Sequence, residues 1–240
     1  TERVTNWVKS AARRVPVVIK ITPQVADIVD VANAVKRGGA DAICASNTIP
    51  SLTGIDIDDF TPRPVVGGRS TYSGLSGPAI RPITLRTIAE ISRHTGMQIT
   101  GTGGPVTWKD AIEFMLVGAG TVQFATAVMH YGFDIIDDLT DGLAYFMDDA
   151  SIATPSALVG AALGRIGGHD DLPDIKIRSS LIPDLCVKCD VCHVACRDGG
   201  HGAIGIGPDR LPVIDEEKCV GCGLCPTVCP TMALEMKVVD

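Results

Sequence analysis

The sequence predicts an α/β chain in two parts, and three observations predict it. Over residues 1–150, short β-branched runs alternate with longer helical patterns, the rhythm of parallel βαβ units. Residues 151–183 lose that rhythm and turn to Ser, Ala, Gly, Asp and Pro, the composition of a linker. Residues 184–240 hold eight of the nine cysteines at repeated spacings, which fits a small α+β module built around metal.

The strand-like runs are 16–22 (PVVIKIT), 41–46 (DAICAS), 98–102 (QITGT) and 121–125 (TVQFA). Helical patterns follow each of them, at 25–37, 80–94, 108–116 and 133–149, with Gly38, Gly96 and Gly118 placed as helix stops. Four units in about 150 residues make eight in about 300, near the size of a TIM barrel. The first part therefore reads as the C-terminal half of a TIM (β/α)8 barrel, its last four βα units. A half-barrel leaves two apolar sheet edges open. The other half is expected upstream or on another chain, the more so because the sequence opens on Thr1. A complete doubly wound sheet is the structural alternative.

Composition removes several function classes. The 240 residues are 45% hydrophobic, enough for a sizeable core. A net charge of -7 and a pI near 5.2 disfavour a phosphate-backbone ligand such as nucleic acid. No apolar run reaches the roughly 20 residues that cross a bilayer; the segment 156–166 is short and interrupted by glycine. The N-terminus TERVTNWVKSAARR reads as an amphipathic helix rather than a signal peptide. Cysteines crowded at metal-ligand spacing point to a reducing compartment, so a cytoplasmic protein is expected.

The cysteines fall at 186, 189, 192 and 196 and again at 219, 222, 225 and 229. Each is a C-x2-C-x2-C-x3-C run, and the two runs correspond cysteine for cysteine at a constant offset, 186 with 219 through 196 with 229. Iron needs thiolates at tetrahedral angles, and two-residue spacers let three sulfurs of one loop reach three corners of a cubane. The module is thus a duplicated bacterial-type ferredoxin with two 4Fe-4S clusters. In that arrangement the fourth cysteine of each run serves the other cluster. One cluster takes Cys186, Cys189, Cys192 and Cys229; the other takes Cys219, Cys222, Cys225 and Cys196. A pair of zinc sites is the alternative, but zinc favours separated C-x2-C pairs. The second run ends in Cys229-Pro230, whereas the first ends in Cys196-Arg197, a difference that touches hydrogen bonding rather than ligands. His193 lies inside the first run but is not needed as a ligand, and Cys44, alone in an apolar strand, reads as a buried thiol.

In the first part, Thr102-Gly103-Gly104 follows the third strand and Ala125-Thr126 ends the fourth. If these are barrel strands seven and eight, a nucleotide phosphate sits between them on backbone N–H groups. Lys20 interrupts VVIKIT, where neighbours would bury it, so an anionic partner such as a reduced flavin is expected; the alternative is a lysine snorkelling from a sheet edge. Asn47-Thr48 follows the second strand, and an Asn amide matches the N–H and C=O of a cyclic imide, unless it only caps a turn. The segment 49–79 exceeds an ordinary βα loop and reads as a lid or binding loop. No complete G-x-G-x-x-G opens a helix: Gly101, Gly103 and Gly104 come nearest, but Val106 holds the third position. A nicotinamide site is therefore expected elsewhere.

Taken together, Ile19-Lys20-Ile21-Thr22-Pro23, Ser46-Asn47-Thr48, Leu75-Ser76-Gly77, Ala79-Ile80-Arg81-Pro82, Thr102-Gly103-Gly104 and the double cysteine run resemble the FMN and iron-sulfur portion of the NAD-dependent dihydropyrimidine dehydrogenases. The barrel motifs are shared with dihydroorotate dehydrogenases, so only the combination is specific. The resemblance implies FMN held through Lys20, Gly77, Thr102, Gly103, Gly104, Ala125 and Thr126, with Asn47 and Thr48 on the pyrimidine. It implies reduction of uracil or thymine at the 5,6 double bond, a step of pyrimidine catabolism, by hydride from the flavin to C6 and a proton from a loop cysteine to C5. That cysteine precedes the strand at 17–22 in the family and has no match here, so no catalytic residue is assigned in this chain and Cys44 is not given the role. A partner subunit carrying FAD and NAD(H), and an oligomeric assembly, are also implied. The rivals are another FMN ene-reductase of dihydroorotate dehydrogenase type and an electron-transfer protein whose barrel remnant is not catalytic.

Overall fold

The computed structural model describes residues 1–173 and 175–239 and divides between Ile166 and Gly167 into two units. The first unit runs α1 (Glu2–Ala12), β1 (Val18–Ile21), α2 (Ile28–Arg37), β2 (Ala42–Ala45), β3 (Ile49–Ser51), β4 (Gly54–Ile55), β5 (Pro62–Arg63), β6 (Ser73–Leu75), α3 (Arg81–Thr95), β7 (Gln98–Thr102), α4 (Trp108–Leu116), β8 (Thr121–Gln123), α5 (Thr126–Tyr131) and α6 (Ile135–Asp149). The second contains β9 (Lys176–Leu181), α7 (Val191–Asp198), β10 (Ile204–Ile206), β11 (Pro212–Ile214), α8 (Leu224–Val228) and β12 (Leu234–Val239).

Strands β1, β2, β7 and β8 form one parallel sheet in that order. The order follows the chain without reversing, as in a barrel wall, and lacks the switch point of a doubly wound sheet. The described strands do not close into a barrel. Strand side chains alternate between faces. Ile21, Ile43, Ala45 and Ile99 enter the helix layer, where Ile28, Ala32, Val35, Ile88, Ile91 and Phe114 complete the core. Lys20, Cys44 and Thr100, in register across β1, β2 and β7, take the opposite face.

Local chemistry fixes where the helices start. Asp27 caps α2, accepting the N–H groups of Val29 and Asp30 at 2.8 and 3.1 Å. Thr107 and Asp110 form a reciprocal capping box at α4. Gly96 ends α3 in the left-handed region at φ 63. Gly38 also ends its helix, though for space rather than for φ, since a Cβ there would meet Thr5 Cβ at 2.5 Å.

Several expected bounds move. The strand expected at 121–125 ends at Gln123, and Thr126 opens α5, a six-residue helix with no counterpart in the sequence reading. The long segment 49–79 is two antiparallel ribbons, β3 with β6 and β4 with β5. The stretch read as a linker, 151–183, belongs partly to each unit. Leu158 packs with Ile112 and Met115 of α4, and Gly160 and Ala162 donate N–H groups to the carbonyls of Met115 and Leu116 at 2.9 and 3.0 Å. Residues 176–181 pair with β12 over six positions. A side chain that fills a helix groove and a strand whose partner lies far along the chain are both invisible to local composition.

The second unit repeats itself. Two antiparallel pairs, β9 with β12 and β10 with β11, enclose a small core. In it Cys192 and Cys225, the third cysteines of the two runs, are buried with Ile204 and Leu234. No helix among the described residues is long and apolar enough to cross a membrane.

Candidate flavin cleft and cluster cages

A cleft of ≈ 430 Å³, counting its open mouth, lies at the carboxyl ends of the four parallel strands. Lys20, Gly77, Thr102, Gly103, Gly104, Ala125 and Thr126 all line it, as does Thr48. Asn47 does not. It stands exposed beside the cleft, its N–H donating to the Ile21 carbonyl and its side-chain Oδ1 accepting the Thr48 N–H, each at 2.8 Å. Ser46, Ser76 and Gln123 also line the cleft. Ser46 and Ser76 stood in the sequence inside the motifs Ser46-Asn47-Thr48 and Leu75-Ser76-Gly77 without a role of their own, and Gln123 had only its place in a strand as a signal.

One end of the cleft is a backbone cradle. Gly103 and Gly104 have φ of 122 and 99, and Gly77 has 82, conformations that side chains resist. A Cβ on Gly104 would lie 2.7 Å from both the Arg81 N and the Gly77 carbonyl oxygen; one on Gly103 would lie 2.7 Å from Thr84 Oγ1. Thr126 Oγ1 donates to Ser76 Oγ at 3.2 Å, which ties the arm of 49–79 to the start of α5. Bare N–H groups gathered where a Cβ would intrude fit a phosphate-bearing group, so the residues present suit a flavin mononucleotide. The Arg81 guanidinium is not part of the cradle. Asp110 at 3.0 Å and Glu113 hold it. Burial pushes the Asp110 carboxyl up, but the amides of Thr107 and Val106, the Thr107 hydroxyl and the Arg81 charge together hold it below the ordinary carboxylate range.

Lys20 departs from expectation in its burial. It is exposed and makes no ion pair among the described residues; β1 is the outer of the four described strands, and the cleft is open beside it. Its ammonium is thus available to an anionic guest. Cys44 is buried next to it, with Sγ 3.7 Å from Gln123 Oε1. Burial pushes its thiol up, and Lys20 draws it down by less.

In the second unit the eight sulfurs separate into two cages. Cys186, Cys189, Cys192 and Cys229 line one, of ≈ 380 Å³ counting open solvent at its mouth; Cys196, Cys219, Cys222 and Cys225 line the other, of ≈ 340 Å³ counted the same way. Each cage takes three cysteines from one run and the fourth from the other, and their near-equal size suits two guests of one kind. Helix α7 carries a cysteine for each cage one turn apart, Cys192 lining the first and Cys196 the second. No group of three or more His, Cys, Asp or Glu among the described residues is placed to hold a single metal ion. Sulfurs spread around a void suit a cluster instead.

Backbone conformation explains how a short loop turns three sulfurs inward. Lys188 and Asp190 take φ of 58 and 61, and their counterparts in the second run, Gly221 and Gly223, take 71 and 73. The second run announces this bend with glycines; the first hides it. Amides then face the sulfurs, with the Ala203 N–H donating to Cys196 Sγ at 3.3 Å and the Ala233 N–H to Cys229 Sγ at 3.2 Å. Burial pushes the Cys229 thiol up, yet the amides of Thr231 and Ala233 bring it below its ordinary value, favouring the thiolate that ligates iron. His193 is occupied elsewhere, its Nδ1 2.6 Å from the Ile204 carbonyl oxygen.

An open parallel sheet with a phosphate cradle at its carboxyl end, joined to a duplicated cysteine module, defines a class of flavin and iron-sulfur oxidoreductases. The chain belongs to the dihydroorotate dehydrogenase family, whose profile matches residues 1–147, and residues 180–236 match the 4Fe-4S dicluster domain. Among curated proteins it is 41% identical to the NAD-dependent dihydropyrimidine dehydrogenase subunit PreA of Escherichia coli (strain K12), over 98% of this chain and 59% of that protein. It is also similar to catalytic subunits of dihydroorotate dehydrogenase B (NAD(+)). That of Pyrococcus abyssi is 33% identical over 62% of this chain and 48% of its own length, and that of Thermoplasma volcanium 37% over 68% and 52%. The chain thus spans about half to three-fifths of the curated relatives it matches.

Proposed function

We propose that this chain carries the FMN and iron-sulfur machinery of a dihydropyrimidine dehydrogenase, and that the protein reduces the 5,6 double bond of uracil or thymine. The observation that carries the reading is the span of likeness. Similarity to PreA runs over 98% of the chain and through both units, whereas similarity to the dihydroorotate dehydrogenase B subunits covers 62% or 68% of it.

Bound in these sites, iron-sulfur clusters supply single electrons and a flavin collects two, the number a C=C reduction needs along with two protons. The chain's residues do the holding. Gly77, Gly103, Gly104, Ala125 and Thr126 offer backbone N–H groups to the flavin phosphate, and Thr102 closes the cleft wall behind them. Lys20 presents its ammonium to the anionic ring. Thr48 at the cleft edge, with Asn47 beside it, orients the pyrimidine; the Asn47 amide nitrogen is the donor left to meet an imide carbonyl. The proton for C5 is supplied by a cysteine outside this chain. A partner subunit with FAD and NAD(H) feeds the cysteine module, and the assembly is oligomeric and cytoplasmic.

The test is anaerobic reoxidation of the reduced protein containing this chain. FMN is expected in stoichiometric amount, with rapid flavin reoxidation by uracil or thymine and little by orotate. Reoxidation by orotate alone would place the protein among the dihydroorotate dehydrogenases in function as well as in family. Absence of FMN would leave an electron-transfer protein.

A further inference from the structure

The two cysteine cages are chemically unlike on one side. Between its second and third cysteines the first run has Asp190, where the second run has Gly223 at the equivalent position. Both residues are left-handed, at φ 61 and 73. The bend itself therefore calls for no carboxylate, and glycine would serve it with less strain. Asp190 lines the first cage, and so does Arg210 from the turn between β10 and β11. Arg210 Nη2 donates to Asp190 Oδ2, while Asp190 Oδ1 is buried without a hydrogen-bond partner among the described residues. Lys188 borders the same cage from an exposed position. Among the described residues, no Asp, Glu, Lys or Arg lines the second cage.

We infer that the Asp190–Arg210 pair tunes the reduction potential of the cluster in the first cage alone, and so makes two duplicated clusters inequivalent. The inference rests on the reading that each cage holds a 4Fe-4S cluster. Reduction adds one electron and no proton to such a cluster. A nearby fixed negative charge opposes it and a positive charge favours it, more strongly where water is excluded. The pair as built is close to neutral toward its cluster. Take away the guanidinium, and an unsatisfied carboxylate faces a centre that is gaining negative charge. Take away the carboxylate charge, and an unbalanced cation remains. The side chains of Asp190 and Arg210 are 32% and 63% exposed. Water screens the arginine more, so the change at Asp190 has the larger effect. Both residues act through the field around the cluster and ligate nothing.

The experiment is an anaerobic redox titration followed by EPR, with dithionite and mediators as the electron source, on the full protein. Iron and acid-labile sulfide are measured first. If the unaltered protein lacks two clusters, the cluster reading itself fails, and this inference with it. With both clusters present, Arg210→Gln is expected to move one midpoint to more negative potential and Asp190→Asn to move the same midpoint positive by a larger amount. The double variant falls between them, and Arg210→Lys, which keeps the charge, stays near the unaltered value. The other midpoint, assigned by its disturbance in Cys219→Ser, does not move. Shifts of the same sign in both single variants, equal shifts of both clusters, or no shift in protein that retains its iron would overturn the inference.

Discussion

Gly104 shows how much of the cleft depends on a single missing atom. Its φ of 99 and the two backbone atoms 2.7 Å from a would-be Cβ leave no side chain that fits. Gly104→Ala is expected to weaken flavin retention roughly 5- to 150-fold, from a strain of about 1–3 kcal/mol. Cluster iron should be unchanged, which flavin and iron analysis of one preparation would establish. The Gly-Gly pair made this position legible in the sequence. Lys20 was legible as a residue but not in its surroundings, because alternation says which face a side chain takes and not whether the next strand covers it. Lys188 was not legible, since lysine does not mark a left-handed bend, and Asp190, of a type that tolerates one, was not singled out.

Asp110 is one of several aspartates whose carboxyls are held below the ordinary range, and it is the one beside the cleft's Arg81. Its folded pKa lies below the unfolded value, so the stability it contributes is present above about pH 4 and is lost as pH falls through the folded value. Asp110→Asn is expected to cost about 1 kcal/mol near neutrality. It should also flatten the acid limb of the stability curve below about pH 4, readable by denaturant unfolding at a series of pH values. An acid limb as steep as that of the unaltered protein would mean that Asp110 contributes nothing to it.

Among the elements, the βαβ rhythm located all four strands of the sheet, because each needs a run of apolar residues to reach the helix layer. Elements too short for a period escaped. Helix α5 has six residues, and the ribbons of 49–79 are built from strands of two or three. Packing between elements also escaped, and Gly142 is the case in point. A glycine inside a helix ordinarily costs about 0.5–1 kcal/mol relative to alanine. In α6, however, a Cβ at Gly142 would meet Trp108 Cδ1 of α4 at 2.2 Å. Gly142→Ala should therefore destabilise the first unit by about 1–3 kcal/mol instead of stabilising it. Thermal unfolding decides the sign.

For the molecule as a whole, the spacing of the cysteines carried the most information, since iron chemistry dictates it directly. The pairing of 186, 189 and 192 with 229 could be written down before any fold was known, and the same four residues line one cage. Cys229→Ser is accordingly expected to damage the cluster of Cys186, Cys189 and Cys192, with loss of about half the iron. Loss instead from the cluster of Cys219, Cys222 and Cys225, seen by EPR, would contradict the assignment. What spacing could not convey was the difference between the cages, which lies in Asp190 and Arg210, two residues that meet only when the β10–β11 turn folds against the first loop.

In the proposed function, electrons held by the cysteine module are delivered through the flavin to a pyrimidine. This delivery is tested by reducing the protein containing this chain anaerobically, removing excess reductant, adding uracil in successive small amounts, and following reduced clusters by EPR and reduced flavin by absorbance. The electrons lost from flavin and clusters together are expected to equal two for each dihydrouracil formed, with the cluster signals falling once the uracil added exceeds what the reduced flavin alone can supply. Clusters that stay reduced beyond that point while uracil is consumed, or that reoxidise with no dihydrouracil formed, would contradict it.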